Sequence, residues 1–244
     1  YGFDKIVDML YLFNEDITPV AAIEQVLGIS DSEFDRHFKQ FIDIEYGPLL
    51  NGLGVWMEDM RAGYEALQAE KWEEAAAAAE RAVFTYPDYV ENDSPYIVMA
   101  RAYEKLDNKE EEFQALQKFW QKGGYLPAAL LSLADYYLER KMNSEAEAVL
   151  MDTSYADPFI EDLHVKLGDL YMDTQRPEKA LEEFEVLLAL DPLDKASANY
   201  RIANAYNALD NDDKTMEYLM TALDIAPQFR PAQQLLLEMS RTSN

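Results

Sequence analysis

Apolar residues recur along this chain at helical spacing and, from Trp56 onward, within a larger period of about 34 residues. The clearest unit is LGDLYMDTQRPEKALEEFEVLLALDP, residues 167–192. Small Gly168 and Ala180 belong where two helices approach closely, and large Tyr171 and Phe184 fill the space beside them. Pro192 ends the second helix, because proline lacks the N–H that a helix interior needs and biases the preceding residue away from helical backbone. One period later the same places hold Ile202-Ala203, Tyr206, Thr215, Leu219, Ala222 and Pro227. One period earlier they hold Leu133-Ala134, Tyr137, Ala146, Leu150 and Pro158. A further step back gives Met99-Ala100, Tyr103 and Leu116, with Gly123-Gly124 in place of the proline. The first copy reads Ala62-Gly63, Ala66, Ala75, Ala79, Ala82 and Pro87. Each copy predicts two helices joined by a turn.

Two copies depart from the pattern. Ala66 stands where the others carry Tyr, and extra residues around ENDSP lengthen the loop that follows. Glu112 occupies a place that calls for a small residue, which predicts a splayed helix pair there. The closing segment, residues 230–244, has Pro231 near a helix start and Leu235, Leu236 and Met239 on one face, as a helix capping the last copy would.

The first 50 residues lack the period. Phe3, Ile6, Val7, Leu10 and Phe13 line one helical face. Thr18-Pro19 reads as an N-cap with proline in the first turn, ahead of Ile23, Val26 and Leu27, and Gly28 is a stop. Ser30-Asp31-Ser32-Glu33 reads as a capping box opening a third helix along Phe34, Phe38, Phe41 and Ile42. Three helices in so few residues have too little area for a core of their own and need a neighbour.

Charge narrows the function classes. There are 47 acidic and 21 basic residues, a net charge of −26. Nucleic-acid binding draws on counterion release by clustered Lys and Arg, so it is disfavoured, and anionic membranes are disfavoured for the same reason. No apolar run is long enough to span a membrane. With no Cys there are neither disulfides nor thiolate metal sites. The two histidines, His37 and His164, lie far apart and outside any H-E-x-x-H, and no Ser has a His partner within its repeat, so neither catalytic nor metal residues are expected. His164, near a helix start, reads as structural. No cofactor is implied.

The order and spacing of Leu167-Gly168, Tyr171, Ala180, Phe184 and Pro192 resemble the tetratricopeptide repeat. The resemblance implies an all-α fold, a right-handed α-α superhelix of about five hairpins. These fall at about 56–89, 93–126, 127–160, 161–195 and 196–229, within 55–229. A three-helix segment, 1–50, would precede them, and the capping helix 230–244 would follow. The resemblance further implies that the first helix of each pair lines a concave groove. Projected by helical spacing, the groove residues are Met60, Arg61, Tyr64, Ile97, Arg101, Lys105, Leu131, Lys166, Asp169, Tyr200, Arg201, Asn204 and Asn207. This face is less acidic than the chain as a whole and mixes Arg and Asn with Met, Tyr and aliphatic residues. It suits an extended peptide or a partner helix. The carboxylate clamp of some members is not carried over, because Asp169 stands where Asn204 would have its equivalent.

The stretch VLGISDSEFDRHFKQFI is similar to the tail of the peptidase-MA-like domain of gluzincin metallopeptidases, which runs into tetratricopeptide repeats. That resemblance implies a zinc-peptidase domain upstream of Tyr1, in keeping with a chain that starts without Met. It makes the chain a non-catalytic module whose partners are a protein or peptide and an upstream domain of the same polypeptide. The other readings are a contribution to a zinc metallopeptidase active site, or a structural oligomerisation scaffold. A bacterial periplasm or other extracytoplasmic space fits this reading, with the cytoplasm as the alternative.

Overall fold

The computed structural model describes residues 1–242; the last two positions of the expected capping helix lie outside the described residues. Among the described residues there are fourteen helices and no strand. Three form the head: α1 (Phe3–Phe13), α2 (Pro19–Leu27) and α3 (Asp31–Glu45). Ten pair into hairpins: α4 (Gly47–Gln68) with α5 (Trp72–Thr85), α6 (Pro95–Lys105) with α7 (Lys109–Gln121), and α8 (Pro127–Glu139) with α9 (Asn143–Ala156). The fourth and fifth are α10 (Glu161–Asp173) with α11 (Pro177–Ala189), and α12 (Lys195–Ala208) with α13 (Asp212–Ile225). Helix α14 (Arg230–Thr242) follows. Each hairpin packs on the next, which gives the all-helical hairpin superhelix that the sequence period implies.

The core runs along the stack. Tyr96, Phe119, Leu130, Leu133, Tyr137, Leu150, Leu163, Leu167, Phe184 and Ile202 are buried in one continuous cluster across the second to fifth hairpins. In the first hairpin, Ala66, Ala75, Ala76 and Ala79 meet Val98 and Ala102 of α6, so alanines stand in the core where the other units carry larger residues. At the far end Ala232 and Leu235 of α14 cover Ala203, Leu219 and Ala222, as a cap should. Gly168 shows why the small residues stand where they do: a β-carbon there would overlap the buried Phe184 ring. Glu112 does not pack in the small-residue place; its carboxylate accepts from the Tyr136 hydroxyl of the next hairpin at 2.6 Å. Helices α6 and α7 stay packed through Ala100, Phe113 and Leu116.

All five hairpins close with the same turn. Glu70, Asp107, Lys141, Gln175 and Asp210 lie in the left-handed region, with φ between 53 and 57°. In each case the next residue's N–H reaches back to a carbonyl five positions earlier, as Met142 does to Tyr137 at 2.9 Å and Arg176 to Tyr171 at 2.8 Å. This is the long bond of a Schellman-type helix end. None of the five is glycine, although left-handed backbone costs an L-residue about 1–2 kcal/mol. Lys141→Gly is therefore expected to stabilise the protein by about 0.5–1 kcal/mol after the extra chain entropy of glycine is subtracted. Urea unfolding of the two forms checks it.

In the head, Thr18 Oγ1 accepts from Ala21 N at 3.4 Å, Ser30 Oγ accepts from Glu33 N at 3.2 Å, and Gly28 has φ 70°. The capping box is only half made, since the Glu33 carboxylate pairs with Arg36 at 3.2 Å. Neither α1 nor α3 contains a buried residue, and α2 buries only Ala22. Phe3, Leu10, Tyr11 and Ile44 are each more than half exposed.

Candidate binding face

The first helices of the hairpins, α4, α6, α8, α10 and α12, share one face, and hollows occur along it. One of about 440 Å³ lies between the first and second hairpins, with Tyr64, Leu67 and Trp72 as apolar walls and Arg101 and Lys105 above them. A smaller one, about 190 Å³, lies between the second and third, where Ile97, Arg101, Glu112 and Ser132 meet. A third, about 470 Å³, is formed by Asp169, Met172, Ser197, Tyr200, Arg201 and Asn204, and is closed by Phe229 and Pro231 ahead of and within α14. Tyr200 stands edge-on to Phe229 at 5.6 Å.

Polar side chains on this face divide into those already paired and those left open. Lys166 donates to Asp135 at 2.6 Å and lies 3.3 Å from Asp162, and Arg201 pairs with Asp169, so two of the predicted bases join consecutive first helices. Burial works against the Lys166 ammonium, but its two carboxylate partners outweigh that and raise its pKa. Arg61 pairs loosely with Glu65 at 3.9 Å, and Lys105 with Glu104 at 3.2 Å. Arg101 is exposed and makes no ion pair among the described residues. Its charge acts on half-buried Tyr64, whose pKa is raised by burial and by Asp93, with Arg101 opposing. The amides of Asn204 and Asn207, both half-buried, make no hydrogen bond among the described residues. Leu131 and Tyr200 are half-buried. Met60 and Ile97 are buried, at 8% and 3% exposure; Ile97 forms the floor of a hollow, and Met60 belongs to the interior.

Polar rungs, which the sequence period does not display, join neighbouring hairpins through carboxylates on second helices. Tyr103 donates to Glu80 at 2.5 Å, Trp120 to Asp152 at 2.7 Å, and Arg176 pairs with Glu147 at 2.9 Å. Burial and then the Glu80 hydrogen bond push Tyr103 up to about 12. The rungs join residues 23 to 32 positions apart, with Tyr, Trp and Arg as donors, so no single spacing or residue type in the sequence marks them.

His164 is buried, as a structural histidine should be. Its Nδ1 meets Glu183 Oε2 at 2.7 Å and its Nε2 meets the Pro158 carbonyl at 2.8 Å. The backbone carbonyl can only accept, and the Glu183 carboxylate also accepts when ionised, so the ring is best matched as the cation with both N–H groups donating. The Glu183 bond raises its pKa, burial opposes this, and the Pro158 carbonyl adds to the rise. A raised histidine stabilises the fold fully below its ordinary value of 6.5, and that contribution is lost as pH climbs through the folded value. Stability is thus expected to fall above pH 6.5 with a slope of at most about 1.4 kcal/mol per pH unit from this one proton. Urea unfolding at several pH values checks it; His164→Phe should remove that part of the slope.

Among the described residues no group of three or more His, Cys, Asp or Glu is placed to hold a metal ion, and no helix is long and apolar enough to cross a membrane. A stack of two-helix units with one continuous face of first helices defines a helical-repeat protein. More particularly, residues 161–192 and 196–229, which fall on the fourth and fifth hairpins, match the model of the tetratricopeptide repeat family. The structure is similar to that of YrrB, described as a TPR protein with an unusual peptide-binding site. The two share 18% sequence identity and a TM-score of 0.60, over 72% of this chain and 89% of that one. It is also similar to MamA, at 19% identity and a TM-score of 0.56 over 69% and 90% of the two chains. No curated protein sequence matches the chain.

Proposed function

We propose that the chain is a protein-interaction module that holds an extended segment of a partner along the face of its first helices. The observation that carries this is the division of polar groups there. Lys166 and Arg201 are bound to carboxylates within the array, whereas Arg101 and Asn204, which line hollows of this face, and Asn207 one turn from Asn204 keep their donors open among the described residues. Peptide recognition of this kind uses amides for the backbone and a guanidinium for a carboxylate. The hairpin fold, its two matches to the tetratricopeptide repeat family and the peptide site ascribed to YrrB support the reading. Asn204→Ala combined with Asn207→Ala is expected to weaken a captured peptide about tenfold, at about 0.5–1.5 kcal/mol per hydrogen bond, with melting unchanged. Calorimetric titration checks it, and undiminished affinity would place the ligand elsewhere.

The head is read as the tail of a peptidase-MA-like domain, with the repeats serving that domain. The sequence resemblance supports this, as do helices α1 and α3, which hold no fully buried residue and call for a covering surface. Coding sequence upstream of Tyr1 either contains H-E-x-x-H or removes this part of the reading.

A further inference from the structure

A second recognition surface lies away from the first-helix face, where α9, the turn 157–160 and α11 meet. Ser154, Pro158, Phe159, Val186, Ala189 and Leu190 line a hollow of about 570 Å³ there, with the His164–Glu183 pair on its wall. Its apolar rim faces water: Phe159 is 76% exposed, Val186 42%, and the neighbouring Tyr155 79%. Exposed aromatic and aliphatic side chains around one concavity are the usual mark of a docking site. The polar atoms of the hollow are nearly all occupied. His164 uses both nitrogens internally and Glu183 accepts through Oε2, and among the described residues the Ser154 hydroxyl and Glu183 Oε1 make no hydrogen bond.

Charge identifies the occupant. Helices α9 and α11 carry seven carboxylates against a single base, Lys179. Glu147 is taken up by Arg176 and Lys179 and Asp152 by Trp120, which leaves Glu145, Glu178, Glu182 and Glu185, with Glu183 held by His164 through Oε2. Glu182 precedes Val186 by one helical turn and so sits on the same side of α11. We infer that this hollow takes an aromatic or large aliphatic side chain of a partner protein, flanked in that partner by Lys or Arg. The apolar anchor fills the space between Phe159 and Val186, and the flanking cations meet Glu182 and the open oxygen of Glu183. A second copy of this strongly acidic chain has the wrong charge for the place.

The test is a fluorescent twelve-residue peptide with a central Phe between pairs of lysines, titrated into the full chain and read by polarisation. Two controls accompany it, one with Ala for Phe and one with Glu for the lysines. The inference expects the Phe–Lys peptide to bind at least tenfold tighter than either control. Phe159→Ser, at an exposed position, should remove that advantage. Glu182→Lys should weaken binding several-fold and flatten its salt dependence, while Arg101→Glu on the first-helix face leaves it unchanged. Equal binding of the Ala control, or full binding by Phe159→Ser, overturns the inference. So does loss of binding in Arg101→Glu, or sedimentation showing a dimer that Phe159→Ser dissolves. Because the two faces have separate variants, failure here leaves the first-helix face to stand or fall by its own experiment.

Discussion

Gly168→Ala is expected to lower the stability of the protein by about 3 kcal/mol, the upper end of the cost of overpacking. Gly168 lies in α10 where a β-carbon would overlap the Phe184 ring of α11, and Phe184 is only 1% exposed, so the ring has nowhere to swing. Relief requires α10 and α11 to separate, which would also pull His164 from Glu183. Gly54→Ala is the matched control. Its β-carbon meets nothing within 4 Å, so the better helix former should raise stability by up to about 1 kcal/mol. Trimming the ring with Phe184→Leu should return part of the loss in the Gly168→Ala background. Urea unfolding of the set decides the matter: equal midpoints for wild type and Gly168→Ala would mean that the helices do not need this close approach.

Arg101→Glu is expected to weaken an acidic-ended peptide about 100-fold on the first-helix face. Losing a charged hydrogen bond removes about 1.5–3 kcal/mol, and the new carboxylate adds repulsion. Arg101 is exposed and makes no ion pair among the described residues, so melting should hardly change. Arg201→Glu should behave in the opposite way. Arg201 is committed to Asp169, and its reversal sets two carboxylates face to face, so stability falls more than affinity. Calorimetric titration alongside thermal melts separates the two effects, and unchanged affinity in Arg101→Glu would remove this arginine from the site.

The hairpins were legible because close packing forces a size pattern on the sequence: Gly168 against Phe184, Ala146 and Leu150 within the same core, Ala232 over Ala222. The caps at Thr18 and Ser30 were legible for a similar reason, since few residue types can perform that task. The five left-handed turns were hidden, because Glu70, Asp107, Lys141, Gln175 and Asp210 have no residue type in common and none is the glycine that usually marks such a place. The start of α4 was hidden too. Gly47-Pro48 looks like a break, yet proline is welcome in a first helical turn, and the helix begins there, well ahead of residue 56. On the proposed binding face, periodicity assigns residues to a helix side but carries no information on side-chain commitments. Whether Lys166 or Arg101 is open depends on a carboxylate one hairpin away, and the burial of Met60 depends on packing that no single helix specifies.

The recurring left-handed turn has a further consequence. Each hairpin closes with its own bond, such as Met142 to Tyr137 or Arg176 to Tyr171, and leans mainly on the units beside it. Nothing in such a unit measures the length of the whole. An in-frame duplication of residues 161–194 would present the same edges to its neighbours that the original does, and the stack should accept it as an added storey. Growth by copying, with the cap α14 moved outward unchanged, is therefore open to this architecture in a way that it is not to a fold closed around one centre.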